Sequence, residues 1–160
     1  LNYIEDFISK IDTFTFEKRP EPIPPVLRPQ WRIILILIIL SYCNGKKASF
    51  SMLYALNWGI QKLNQTKFKD YITNSGESSL VLQINNDPFL IKALDLALGE
   101  GLIEITNTSG GDRVSLSQRG LNTVNELFRK NECFLEERRF LEDIKDYLKI
   151  TKMEGIFKGR

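Results

Sequence analysis

The side chains in this chain that could do chemistry are few and scattered. Cys43 and Cys133 are the two thiols in 160 residues. Glu136 and Glu137 are adjacent carboxylates, and Lys46, Lys47, Arg113 and Arg119 are the cations best placed to meet a phosphate. Neighbouring carboxylates can serve as general acid and base. These two, however, fall in the charged stretch FLEERRFLEDIKDYLKI, where a solvated helix face accounts for them. There is no histidine, which removes the commonest general base and metal ligand. Neither cysteine has a second one near it, so zinc-site spacing is absent. Cys43 closes an aliphatic run and reads as core, and two lone thiols fit a reducing compartment. Neither a phosphate loop of the G-x-x-x-x-G-K-[ST] type nor a G-x-S-x-G nucleophile turn occurs in the sequence. The expectation is a chain that is not an enzyme and uses no metal and no cofactor.

What positions these residues must therefore be read from hydropathy. Hydrophobic residues make up 42% and charged residues 26% of the chain, ordinary for a soluble globular protein. A net charge of +2 argues for neither nucleic acid nor a membrane surface. The longest apolar run, IILILIIL at 33–40, lies between Arg32 and the polar Ser41–Lys47. A membrane-spanning helix needs about 20 apolar residues, so this run is expected to be buried in a soluble, cytoplasmic protein. It is not preceded by a recognisable signal peptide, and the chain opens on Leu1 rather than methionine, which leaves room for residues upstream.

Along the chain, residues 1–28 read as an arm. Leu1, Ile4, Phe7, Ile8 and Ile11 have helical spacing, and Pro20, Pro22, Pro24, Pro25 and Pro29 make a stiff connector, either a linker or a strap along a partner. A first helix starts at Pro29 and ends at Asn44-Gly45. Ser49 caps a second, SFSMLYALNWGIQKL, with Leu53, Leu56 and Ile60 inward and Tyr54, Trp58 and Leu63 near them. A further helical turn or two is expected around Phe68–Tyr71. Alternation of Leu80, Leu82 and Ile84 predicts a short strand. Asp87-Pro88 opens a third helix that closes at Gly99. GLIEITN and DRVSLS form a hairpin about Thr108–Gly111, and a fourth helix follows Gly120. The order predicts a mainly α fold with a small β-hairpin wing. It is that of a winged helix-turn-helix over 29–131, carrying an N-terminal arm (1–28) and a C-terminal helix and tail (132–160).

A winged helix does not by itself imply DNA binding. The third helix should bury Leu90 or Ile91, Leu94, Ala97 and Leu98, leaving Phe89, Lys92, Asp95 and Leu96 outside. Two hydrophobes, one cation and one anion make a poor base reader. Lys46, Lys47, Arg113 and Arg119 remain the candidates for nucleic acid. The first helix is apolar all round, so part of it must be covered by something besides its own small core: the arm, the C-terminal helix or a partner. Trp31, Ile34 and Ile38 on that helix, with Phe89, Lys92 and Leu96 on the third, are the candidate partner-binding residues.

The stretches RPQWRIILILIILSYCNGKKASFSMLYALNWGIQK and NDPFLIKALDLALGEGLIEI resemble the middle components of bacterial ABC-three-component systems and the small accessory subunit of Lamassu-type anti-phage defence. The resemblance covers residues 28–120. It lies in Arg28-Pro29, Ile33–Leu40, Gly45–Ser49, Leu56-Asn57-Trp58, Asp87-Pro88 and Ala93–Leu102. It implies a small non-catalytic subunit beside an SMC-like ABC ATPase and an effector, often a nuclease. Such a subunit would tie the effector to the ATPase and help hold it inactive until foreign DNA is sensed, with any DNA met through the complex. The alternative is a winged-helix transcriptional regulator that binds DNA directly.

Overall fold

A computed structural model describes Pro24 and residues 27–74, 87–130 and 132–149. The expected arm helix at 1–11, the strand at 80–84 and the tail at 155–160 lie outside the described residues. Within them the chain is mainly helical with one small antiparallel sheet.

Helix α1 (Pro29–Tyr42) is the spine. Pro29 suits a first helical turn, where its missing N–H costs nothing. Leu35 to Leu40 are each at most 1% exposed, and six consecutive residues sweep more than a full turn. Burial all round requires neighbours on every side, and α1 has them in the form of the sheet and the helices introduced below. The Cys43 N–H closes the helix on Ile39 and Leu40 carbonyls. Gly45 then takes φ 66, a left-handed conformation that glycine adopts without strain.

Strand β1 (Lys47–Ser49) follows at once and was not expected. Three residues are too few to show alternation, so only the sheet reveals it. The Ser49 hydroxyl accepts the Met52 N–H and caps α2 (Phe50–Gly59). Leu53, Leu56 and Ile60 are buried as expected, but Leu63 is 90% exposed. The correction has a local cause: α2 stops at Gly59, and the Asn64 and Gln65 side-chain amides donate to the Trp58 and Ile60 carbonyls left open there. Helix α3 (Gln65–Thr73) turns back and lays Phe68 on Gly59.

Helix α4 (Pro88–Gly99) is the third helix of the sequence reading. It ends with Gly101 at φ 66; the Gly101 N–H donates to Leu98 and the Leu102 N–H to Ala97. This is a Schellman closure, so Gly101 rather than Gly99 performs the left-handed turn. Strands β2 (Ile103–Thr108) and β3 (Gly111–Leu116) pair as the expected hairpin, in a register that sets Ile103 opposite Leu116 and Thr108 opposite Gly111. β1 joins the far side of β3, giving the order β1-β3-β2 with Ala48 opposite Val114.

Helix α5 (Gln118–Lys130) starts two residues before Gly120, not after it. Ser117 supplies the reason, since its hydroxyl accepts the Gly120 N–H. Gly120 sits against the Leu102 backbone, where any Cβ would lie 2.1 Å from the carbonyl oxygen. Helix α6 (Leu135–Ile144) then returns across α1 and α3. It places Phe140 against Phe68 and pairs Asp143 with Lys69. Phe140, Leu141, Ile144 and Leu148 belong to the same hydrophobic core as α1. No helix among the described residues is long and apolar enough to cross a membrane.

Candidate interaction face of helix α4

The placement of α4 begins with one carboxylate. Asp87 precedes Pro88, and its Oδ1 accepts the Phe89 and Leu90 N–H groups at 3.0 and 3.4 Å, capping the helix. Its Oδ2 receives Arg32 Nη1 of α1 at 2.5 Å and Asn57 Nδ2 of α2 at 3.3 Å. Arg32 and Asn57 are both buried. A single side chain thus starts α4 and fastens it to two other helices, and the charge of Arg32 is matched where water is scarce. Phe89, the first residue past the proline, lies over the Arg32 guanidinium at 5.5 Å. The Tyr54 hydroxyl nearby has its pKa raised by desolvation and then by the negative charge of Asp87.

Leu90, Ala93, Leu94 and Ala97 form the buried side of α4. The rest faces outward, and it is unusually apolar for a surface. Phe89 is 46%, Ile91 41%, Leu96 48% and Leu98 43% exposed, with Lys92 and Asp95 exposed among them. Leu98, expected inside, is outside, and Ala93 takes the inner position. Leu90, Ala93, Leu94 and Ala97 span one arc of the helix at 3.6 residues per turn, and Leu98 falls at its edge. Beside the helix, Ile105 of β2 is 40% exposed. Phe89, Lys92 and Leu96, expected on the outer face, are there.

The candidates on α1 fare differently. Ile38 has no exposed surface, so it packs the core and is corrected as a partner contact. Trp31 and Ile34 are half-buried. Trp31 rests on Phe134 with ring centroids 5.5 Å apart. Ile34 and Leu37 form, with Val124 and Leu127 of α5, the floor of an open groove of about 180 Å³. Helices α5 and α6 therefore cover most of the outer side of α1, which the apolar run left open to the arm, the C-terminal helix or a partner.

The four cations divide. Ser49 pairs with Arg113 and Lys47 with Ser115, so Lys47 and Arg113 share the outward face of the sheet, opposite Ala48 and Val114. Lys46 is exposed just before them. Arg119 is turned to the end of α4, donating to the Glu100 carbonyl at 2.8 Å with the Glu100 carboxylate 3.7 Å away. It closes a helix end. The polar knot of Arg32, Asn57 and Asp87 went unread in the sequence, where the only signal was an arginine at the edge of an aliphatic run and a capping aspartate.

Little here favours an activated nucleophile. Burial pushes the Cys43 thiol up to about 12, so it stays protonated. Among the described residues no three histidine, cysteine, aspartate or glutamate side chains come together to hold a metal. Comparison with family models, curated proteins and solved structures found no match.

Proposed function

We propose that this chain is a cytoplasmic winged helix-turn-helix subunit that works by docking proteins rather than by catalysis. In this reading it bridges a bacterial SMC-like ABC ATPase to an effector, a nuclease, and keeps the effector inactive until foreign DNA is sensed. The winged-helix assignment is supported by the order α1-β1-α2-α4-β2-β3, with β1 on the outer side of β3 and α3 inserted ahead of α4. The observation that carries the docking role is the outward side of α4. Four of its exposed residues are large and apolar, where a base-reading helix would offer arginine, asparagine or glutamine. Exposed apolar surface of this kind marks protein contacts. The ATPase and effector rest on the sequence resemblance.

The test is co-expression with the products of its neighbouring genes, followed by size-exclusion chromatography with mass detection. The unmodified chain is expected to co-elute with an SMC-like ATPase among them. Phe89→Glu with Leu96→Glu is expected to fold and to lose the partner, because both side chains are exposed and neither fills the core. A double variant that still assembles rules out α4 as the docking face, and an unmodified chain that binds none of these proteins rules out the bridge.

A second reading, a DNA-binding regulator, draws on Lys47 and Arg113 sharing one face of the sheet. It requires that the isolated protein shift a duplex at low salt and lose it steeply as salt rises.

A further inference from the structure

The exposed pattern of α4 is complementary to itself. At 3.6 residues per turn, Phe89 and Leu96 fall on one flank of the exposed side and Ile91 and Leu98 on the other. Lys92 and Asp95 stand on the crest between the flanks. Consider two such helices packed antiparallel about a two-fold axis at right angles to both. That rotation reverses the direction of the helix but keeps each flank on its own side. In the register centred between Ala93 and Leu94, Lys92 meets Asp95 of the second copy and Asp95 meets Lys92 of the second copy. The same register sets Phe89 beside Leu96 of the second copy on one flank. On the other it sets Ile91 beside Leu98 of the second copy. One placement yields two ion pairs on the crest and brings the four half-exposed hydrophobes together along the two rims of the contact. A parallel pairing instead puts Lys92 against Lys92 and Asp95 against Asp95, and it aligns the helix dipoles unfavourably.

We propose that the chain associates with a second copy of itself through α4, antiparallel and two-fold symmetric. The occupant is a second copy rather than an unrelated protein because the order lysine, two residues, aspartate is matched by its own reversal. Such an interface is isologous, the commonest kind among soluble oligomers. Its size is limited: α4 has twelve residues and is about 18 Å long at 1.5 Å per residue. Contact along one helix of that length is at the low end for specific association, so the dimer is concentration-dependent. The proposal does not need the bridging role. Where both hold, a heterologous protein on α4 displaces the second copy, and self-association becomes a way of closing the docking face.

The experiment uses the full chain alone, by size-exclusion chromatography with mass detection up to millimolar concentration. The mass is expected to rise from 18.5 kDa toward twice that value. Lys92→Asp places two like-charge contacts in a two-fold interface and is expected to weaken the dimer about tenfold or more. Asp95→Lys should do the same, and the double exchange, Lys92→Asp with Asp95→Lys, should restore it. Circular dichroism confirms that each variant is folded, as expected for exposed positions. A chain that stays monomeric throughout overturns the proposal, as does a dimer indifferent to the single reversals or one not restored by the exchange. None of these outcomes bears on co-elution with an ATPase, so the two readings fail separately.

Discussion

Replacing Asp87 by alanine tests the account of how α4 is held. The substitution removes an N-cap, worth about 1 kcal/mol. It also deprives Arg32 of a carboxylate at 2.5 Å. Breaking a buried ion pair from one side costs about 3–5 kcal/mol. The arginine side chain here is 10% exposed but the aspartate 23%, so water that enters at Asp87 recovers part of that. The two losses are not additive, because one carboxylate makes both contacts, and a total of about 3 kcal/mol is expected. In urea, with a slope near 2 kcal/mol per molar, the midpoint should fall by about 1.5 M. Asp87→Asn separates the components: asparagine still caps the helix, so it should lose only the charge pairing with Arg32. In Arg32→Met the charge is gone from the other side, and combining it with Asp87→Asn should cost clearly less than the two singly. A loss below about 0.5 kcal/mol for Asp87→Ala, or strict additivity of the double variant, would falsify the view that this carboxylate anchors α4. The consequence reaches the outer face, since Phe89 sits over Arg32 and its position depends on the same knot.

Other positions give independent checks. Gly120→Ala puts a methyl 2.1 Å from the Leu102 carbonyl oxygen, a backbone atom that cannot swing aside. It should cost about 3 kcal/mol in urea unfolding, whereas Gly99→Ala, which meets nothing within 4 Å, should stabilise by about 0.5 kcal/mol. Iodoacetamide on the native protein is expected to alkylate the exposed Cys133 and spare the buried Cys43, with both modified after unfolding; early modification of Cys43 in the mass spectrum contradicts its burial. The Cys43 thiol titrates near 12 in the folded chain against an ordinary 9.0. The folded state therefore keeps a proton that the unfolded state loses. This contribution to stability is intact below pH 9 and declines as pH rises toward 12, by about 1.4 kcal/mol per unit. A wild-type pH profile that runs parallel to that of Cys43→Ala across this range refutes the assignment.

Much of the fold is legible because local chemistry agrees with it. Pro29, Ser49 and Asp87-Pro88 open helices where capping and fixed φ predict, and the hairpin turns at Thr108–Gly111 as its turn chemistry predicts. The run 33–40 declares a helix needing cover on all sides, because six adjacent aliphatics cannot be hidden by one neighbour. Its composition could not say which elements provide that cover. The answer, α5 and α6, depends on contacts between residues remote in sequence, such as Trp31 with Phe134 and Tyr42 with Phe128. That is why Ile38, a candidate partner contact on the sequence alone, is buried.

The same division runs through the candidate site. Periodicity identified Phe89, Lys92 and Leu96 as outward, since a helix repeats every 3.6 residues whatever surrounds it. The width of the buried arc was a tertiary matter. The arc buried in the structure includes Ala93 and Ala97 and leaves Leu98 exposed, turning two hydrophobes on one flank into an apolar pair on each. Strand β1 is three residues long and exists because β3 offers it an edge. Arg32 and Asp87, 55 positions apart, meet only when α1 and α4 pack. Capping, turns and hydropathy period are properties of neighbouring residues and belong to the sequence. Partner choice among helices and the burial of a charge depend on chain closure across long separations, and those the tertiary structure alone decided.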